Sequence, residues 1–350
     1  MAEIENNESA AACKPVALVL GITGGIGGAV AGKLLANGYT VRAMHRNAEA
    51  NATKSPQYEW VSGDAMNRDD VMKAASGVDL IVHAVNPPGY RNWGALVLPM
   101  IDNTIAAAEA VGARILMPGT VYNFAPETFD TITEDSPQNP VTFKGGIRVA
   151  LEQRLEAAAG RGIQVILVRA GDFFGPGAGN NWFAQAVVKP GAPLKAITNP
   201  AAPGVGHQWA YLPDVAETMV RLVARADELP TFARFHMEGF WDADGKQLGN
   251  AIRRVTGLTE LPTKRFPWWM LRIAKPFVPV FRELTEMRYL WQRELHMRND
   301  RLVARLGVEP RTPIDQAVRE TLSSLGCLDA QAGPDTPKSL EVAGETRLSA

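Results

Sequence analysis

Two rhythms of apolar and polar residues divide this chain. Short runs rich in Val, Ile and Leu recur between longer stretches in which apolar residues return every three or four positions, the mark of strands separated by amphipathic helices. The first run begins at Val16 and passes through GITGGIG into a small-residue helix pattern that reaches Leu35. Further strands are predicted at 40–44, 58–61, 80–85, 114–117 and 164–169, with helices over 69–75, 99–111 and 146–159. Such alternation builds βαβ units, and so predicts an α/β fold with a doubly wound parallel sheet and helices on both faces. Beyond Gly175 the rhythm changes. Pro and Gly cluster through GPGAGNN, KPGAPL and NPAAPGVG, segments that connect elements or cover sites more often than they form core.

The ends read differently. MAEIENNESAAA carries acids where a signal peptide needs a basic start and an apolar core, so residues 1–14 are expected to be a disordered leader. From Asp329 the chain is poor in large apolar residues, as in a flexible tail over 329–350. No uninterrupted apolar stretch of about 18 residues is present, which predicts no transmembrane helix.

Composition narrows the partners. With 350 residues and a formal net charge of −1, the chain has neither the polycationic character of a nucleic-acid binder nor the acidic excess of a disordered protein, and a small molecule is the expected partner. A homodimer is the other association expected. Cys13 and Cys327 lie near opposite ends and form no CxxC pair, so neither a disulfide framework nor a zinc site is expected, and a reducing cytoplasm fits. His and carboxylate spacings suggest no metal. One local bias stands out: 264–305 holds ten Lys or Arg against four acids, with Trp268, Trp269 and Trp291 interleaved. It reads either as a basic, aromatic surface for an anionic ligand or membrane, or, preferably, as an amphipathic helical cap with solvated cations and inward aromatics. Pro267, Pro276 and Pro279 divide it into pieces too short to span a bilayer.

The chemistry starts at the first turn. Gly21, Gly24 and Gly27 stand at GxxGxxG spacing between a predicted strand and a predicted helix, where they permit a tight turn, close approach of a pyrophosphate and close helix packing. Thr23, Gly25 and Ile26 complete a turn whose free N–H groups and helix dipole attract phosphate. The second strand ends in His45 and Arg46 without a carboxylate, which favours NADP over NAD, Arg46 offering a bidentate fork to the 2′-phosphate; otherwise Arg46 is a solvated strand end. Asp64 and Ala65 follow the third strand, Asp64 either meeting the adenine edge or capping the next helix. Ala84, Val85 and Asn86 follow the fourth, on the nicotinamide-ribose side.

GITGGIG, the SGD at 62–64, TVYNF, ITEDSPQNP, VRAGDFFGPG and HQWAYLPDVAETM, in this order over about residues 15–325, resemble the short-chain dehydrogenase/reductase superfamily, in its extended and atypical NAD-dependent epimerase/dehydratase branches. The resemblance implies a Rossmann-type domain over 15–175 and, over 176–328, a mixed segment that adds to the sheet and forms a smaller substrate lobe and helical cap. It also implies a catalytic Tyr, a Lys four residues later and a Ser or Thr. Here Lys144 takes the place of the Tyr, Arg148 that of the Lys, and Pro118 that of the Ser, leaving Thr120 as the nearest hydroxyl.

Three readings follow from that departure. Lys144 acts as the acid, its pKa lowered by Arg148 and desolvation; or Tyr122 or His207 has taken over proton transfer while Arg148 anchors the cofactor; or the site keeps a dinucleotide and senses it without catalysis. Trp182, Phe183 and Trp209 are substrate-contact candidates, the first two as exposed loop aromatics, and Asp172 lies at the carboxyl edge of the sheet, where ligands bind in such folds. Asp214 is expected to cap the helix over 215–223. The activity expected is NAD(P)-dependent oxidation or reduction of a small carbonyl or alcohol, with nucleotide-sugar epimerisation or dehydration and dinucleotide sensing as alternatives.

Overall fold

The computed structural model describes residues 14–87, 92–178, 181–275 and 279–328. The expected leader up to residue 13, with Cys13, and the tail from 329 lie outside them, as do two positions of GPGAGNN.

Val16–Leu20 (β1) is a run of apolar residues that only the middle of a parallel sheet can cover on both faces. Six strands join it: β2 (Thr40–His45), β3 (Glu59–Ser62), β4 (Leu80–His83), β5 (Arg114–Gly119), β6 (Val165–Arg169) and β10 (Phe232–His236). Their order is β3-β2-β1-β4-β5-β6-β10 and every pairing is parallel. At its carboxyl end Leu20 lies beside Met44 on one side and His83 on the other. The winding direction reverses between β1 and β4, and a crevice opens there.

Helices cover both faces. On one, α1 (Gly25–Ala36) packs against α6 (Leu212–Val223), with α2 (Ala48–Lys54) near the β2 edge; on the other lie α3 (Arg68–Ala74), α4 (Trp93–Val111) and α5 (Phe143–Ala159). Helix α4 starts six residues before the predicted Pro99, because buried Trp93 and Val97 anchor two further turns and the proline is accommodated inside the helix. It is the one described helix long and apolar enough to cross a membrane, yet Ile101, Ile105, Ala107 and Ala108 on it are packed into the core.

The remaining elements form the lobe. β7 (Asp172–Phe174), β9 (His207–Tyr211) and β11 (Phe240–Asp242) make a small sheet of order β11-β9-β7, while β8 (Ile197–Asn199) pairs in parallel with β12 (Thr263–Arg265). Around them lie α7 (Gln247–Thr256), α8 (Trp268–Ala274), α9 (Pro279–Glu286), α10 (Asp300–Leu306) and α11 (Ile314–Ser324). Phe174, Phe183, Trp209 and Trp291 fill the lobe's core with Leu248 and Ile252.

Candidate active site

The β1–α1 turn is built for close approach. Gly21 has φ +88°, and a Cβ there would stand 2.6 Å from the Ala84 carbonyl oxygen, so the turn rests directly on the end of β4. A Cβ on Gly27 would overlap the Gly21 carbonyl, which sets the helix hard against the turn. Helix α1 begins at Gly25 and its first helical bond runs from Gly28 N to Gly24 O, 2.9 Å. The N–H groups of Gly25, Ile26 and Gly27 therefore precede any intrahelical acceptor at the N-terminal end of the helix, as an anion site requires. Thr23 and Gly24 are exposed beside them, and a dinucleotide pyrophosphate fits this cradle.

Arg46 is exposed at the end of β2. His45 next to it is held by Asn47 N–H and Asn51 Nδ2, each 3.0 Å from its Nδ1. Asp64 is not the helix cap: Asn67 caps α3, accepting from Asp69 N at 3.0 Å, while Asp64 Oδ1 accepts from Met66 N at 3.0 Å. The short turn over 64–67 leaves room for one capping residue, and Asn67 is the one adjacent to the helix. Ala65 is nearly buried, its carbonyl accepting from Asn103 Nδ2 at 2.9 Å. Asp214 is likewise inside the first turn of α6 and not its cap, since Pro213 starts the helix early; its carboxylate receives the Thr312 hydroxyl at 2.6 Å and N–H at 2.7 Å.

A cavity of about 170 Å³ lies at the crevice and is lined by Ile26, Ala84, Val85, Asn86, Thr120, Tyr122, Arg148, Asp172 and Trp182 together with His83, Trp93 and Phe173. Arg148 donates from Nη2 to Asn86 Oδ1 at 3.1 Å, and its guanidinium lies 4.8 Å over the Trp93 ring. His83 forms the base. Burial, with the Arg148 charge second, lowers its pKa to about 3, so it is neutral, and its Nδ1 lies 2.8 Å from Thr104 Oγ1.

Thr120 is oriented from below. Its hydroxyl donates to Asn123 Oδ1 at 3.1 Å, and Asn123 Nδ2 in turn donates to Glu152 Oε1 at 2.9 Å. Glu152 receives both bonds of Arg169 Nη2, at 2.8 and 2.9 Å, while Arg169 Nη1 holds the Thr120 carbonyl. Arg169 is wholly buried, and desolvation pulls its pKa below the ordinary guanidinium value. The Thr120 proton is thus committed to Asn123, and the oxygen presents lone pairs to the cavity. In that state it can accept, but not donate, a hydrogen bond there.

Asp172 faces the same cavity and bonds backwards to His207, Oδ2 to Nε2 2.7 Å. His207 is stacked on Trp291 with ring centroids 3.7 Å apart, and its Nδ1 is buried without a hydrogen-bond partner. On this far side lies a second cavity, of about 420 Å³, whose wall includes His207, Trp209 and Trp291 and whose rim carries Lys246, Lys264 and Arg265. Trp182 is buried, not exposed. It packs on Trp291 at 5.1 Å and Trp268 at 5.7 Å while lining the smaller cavity. Phe183 is also buried and stacks on Phe174 at 5.8 Å, because the segment after the glycine-rich turn closes into a π-helical turn over 183–187 that points it into the core; it lines neither cavity.

Lys144 is not brought to this cavity. Its Nζ lies 2.5 Å from Glu286 Oε2, linking α5 to α9 across a separate cleft of about 540 Å³ with Asn92, Phe143 and Arg282. Trp93 contributes to both walls, and Arg148, one turn further along α5, takes the place on the cofactor side. The pair is asymmetric: the Lys144 side chain is 2% exposed and that of Glu286 27%. Glu286→Ala removes the carboxylate 2.5 Å from a buried cation and should lower stability more than Lys144→Met, which leaves a carboxylate that water reaches and should cost under about 1 kcal/mol. Urea unfolding of the two variants checks this order; equal losses would remove the asymmetry.

Residues 17–236 match the pattern of the NAD dependent epimerase/dehydratase family. The chain belongs to this family. Among relatives, the 3-diazoavenalumate denitrifying reductase of a Streptomyces species is 28% identical over 180 residues, 46% of this chain and 57% of that protein. The chain spans about half the length of the curated relatives it matches. Among solved structures, the Bordetella bronchiseptica enzyme WbmH, in complex with NAD+, superposes with TM-score 0.65 at 17% identity over 89% of this chain and 98% of WbmH. UDP-N-acetylglucosamine 4-epimerase from Bacillus cereus gives 0.67 at 17% identity over 93% and 99%. These two share the fold. Asp172 was singled out in the sequence by its place after β6, but its bond to His207 was not; neither His83 nor Trp93 carries a local signal, since each acts only through the fold around it.

Proposed function

We propose that this member of the family is an NADP-preferring oxidoreductase acting on a small carbonyl or alcohol. The observation that carries the reading is the convergence of Thr120, Tyr122, Arg148 and Asp172 on one cavity directly behind the glycine turn. The turn from Gly21 to Gly27 would hold the pyrophosphate, Asp64 and Ala65 the adenine side, Arg46 the 2′-phosphate, and Ala84, Val85, Asn86 and Arg148 the nicotinamide ribose. The cofactor, when bound, supplies or takes the hydride. Thr120 borders the alcohol oxygen, and Asp172 accepts the hydroxyl hydrogen and aligns it. Asp172 removes that proton and His207 stabilises or relays it; reduction runs the same proton the other way. Lys144, held by Glu286, ties the cap to α5 and takes no part in the proton transfer.

Arg46 supports NADP because it is exposed where the 2′-phosphate would lie and no acid occupies the end of β2. A charge-assisted contact contributes about 1.5–3 kcal/mol, so calorimetry should find NADPH bound tenfold to about a hundredfold more tightly than NADH, and Arg46→Ala should erase most of that difference. Equal affinities in the wild type would remove Arg46 as a phosphate ligand. The reaction itself is tested by NADPH oxidation across a panel of aldehydes and ketones. No turnover on any, coupled to a cofactor-dependent shift in melting temperature, would instead indicate a dinucleotide sensor.

A nucleotide-sugar epimerase or dehydratase is the second reading, favoured by the cavity of about 420 Å³, whose rim of Lys246, Lys264 and Arg265 suits an anionic substrate next to the cofactor site. It differs in stoichiometry. Such an enzyme regenerates its cofactor, so UDP-sugars would be converted with no net change in nicotinamide absorbance.

A further inference from the structure

We propose that the outer face of α8 docks this protein on anionic lipid bilayers. The sequence from Leu261 to Arg282 carries Lys264, Arg265, Arg272, Lys275 and Arg282 and no acid. Within it, α8 is two-faced. Trp268 turns inward, its Nε1 donating to the Pro200 carbonyl at 2.9 Å, and Leu271 is buried. Trp269, Met270 and Ile273 point outward and are 65%, 50% and 67% exposed, three of the nine large apolar residues that are exposed in the described structure. Arg272 on the same helix and Lys275 just after it are exposed, as are Lys264 and Arg265 on β12, and none of the four forms an ion pair among the described residues. On the other flank of α9, Val141 and Phe143 are exposed as well, at the start of the helix that Lys144 and Glu286 tie to it.

An apolar ridge alone has many partners. Here the ridge shares its short helix and the residue after it with two exposed cations, Arg272 and Lys275, and a tryptophan stands on it, the combination that favours a headgroup interface: the aromatic enters the boundary region while the cations meet lipid phosphates and carboxylates. At seven residues α8 is too short to span a bilayer and lies on it. The half-buried Trp268 and the buried Leu271 fix the ridge to the lobe, so docking requires no refolding of the cap.

The test uses the full chain with extruded vesicles of phosphatidylcholine alone and of phosphatidylcholine with phosphatidylglycerol. The protein should float with the anionic vesicles, remain in solution with the neutral ones, and be released by high salt. Neutralising Arg272 and Lys275 to Gln should weaken binding about thirtyfold, at about fivefold per cation. Trp269→Ser with Ile273→Ser should weaken it about a hundredfold. Both pairs are exposed, and unchanged melting curves establish that the fold is kept. Absence of flotation, equal binding to neutral vesicles, or full binding by either double variant overturns the proposal. So does a dimer in sedimentation velocity that the Trp269 and Ile273 substitutions dissolve, which would assign the ridge to a second copy of the chain.

Discussion

An Asp172→Asn variant should lose between about a hundredfold and ten-thousandfold in turnover, the range that general acid–base catalysis contributes, while its affinity for the dinucleotide hardly changes. Asparagine keeps the size and can still meet His207, but it can neither take a proton nor neutralise an imidazolium. His207→Phe preserves stacking on Trp291 and removes the relay, so it should fall in the same range if the two act as a unit. The double variant should then be no worse than either single one. The measurement is steady-state NADPH oxidation on a substrate found for the wild type, with calorimetry for the cofactor. Full activity in Asp172→Asn would end the assignment and leave Tyr122, on the same wall, as the next group to replace.

The second large effect is on stability. Glu152→Ala should destabilise the protein by about 3–5 kcal/mol, because it leaves the wholly buried Arg169 guanidinium without its counter-charge. Against a typical total of about 5–15 kcal/mol this is a large fraction. Glu152→Leu combined with Arg169→Met removes both charges and should recover much of the loss, although Asn123 and the Thr120 carbonyl lose partners in exchange. Urea unfolding of the three proteins decides it. A Glu152→Ala variant with a wild-type midpoint would mean that Glu134, whose charge also acts on Arg169, or water compensates the buried cation.

How far the chain could be read without its structure depended on the distance between the residues concerned. Strands β1, β2, β4, β5 and β6 were legible because each is a short apolar run bounded by turn residues, and the glycine turn because its spacing, strand and helix are contiguous. β10 was not located, although the resemblance implied that a segment of 176–328 adds to the sheet, since TFARF is short, neither a continuous apolar run nor a regular alternation. Thr120, Tyr122, Arg148 and Asp172 were found through motif positions and do meet. Lys144 came from the same motif but is drawn off by Glu286, a residue 142 positions away that no local pattern connects to it. Trp182 and Phe183 looked like loop aromatics because burial by Phe174, Trp268 and Trp291 comes from three separate segments.

The return of β10 to the sheet governs how the chain can be made and cut. All five residues of β6 are buried, and its outer edge is closed only when Phe232–His236 arrives, after the β7, β8 and β9 segments have been laid down. On a ribosome the sheet therefore stays open on that side until most of the lobe has emerged, and the bare Val-Ile-Leu-Val edge is a template for pairing with another nascent copy. A fragment ending at Gly175 would keep that edge permanently. Swapping one lobe for another would therefore have to preserve the crossings after β6, before α6 and after β10.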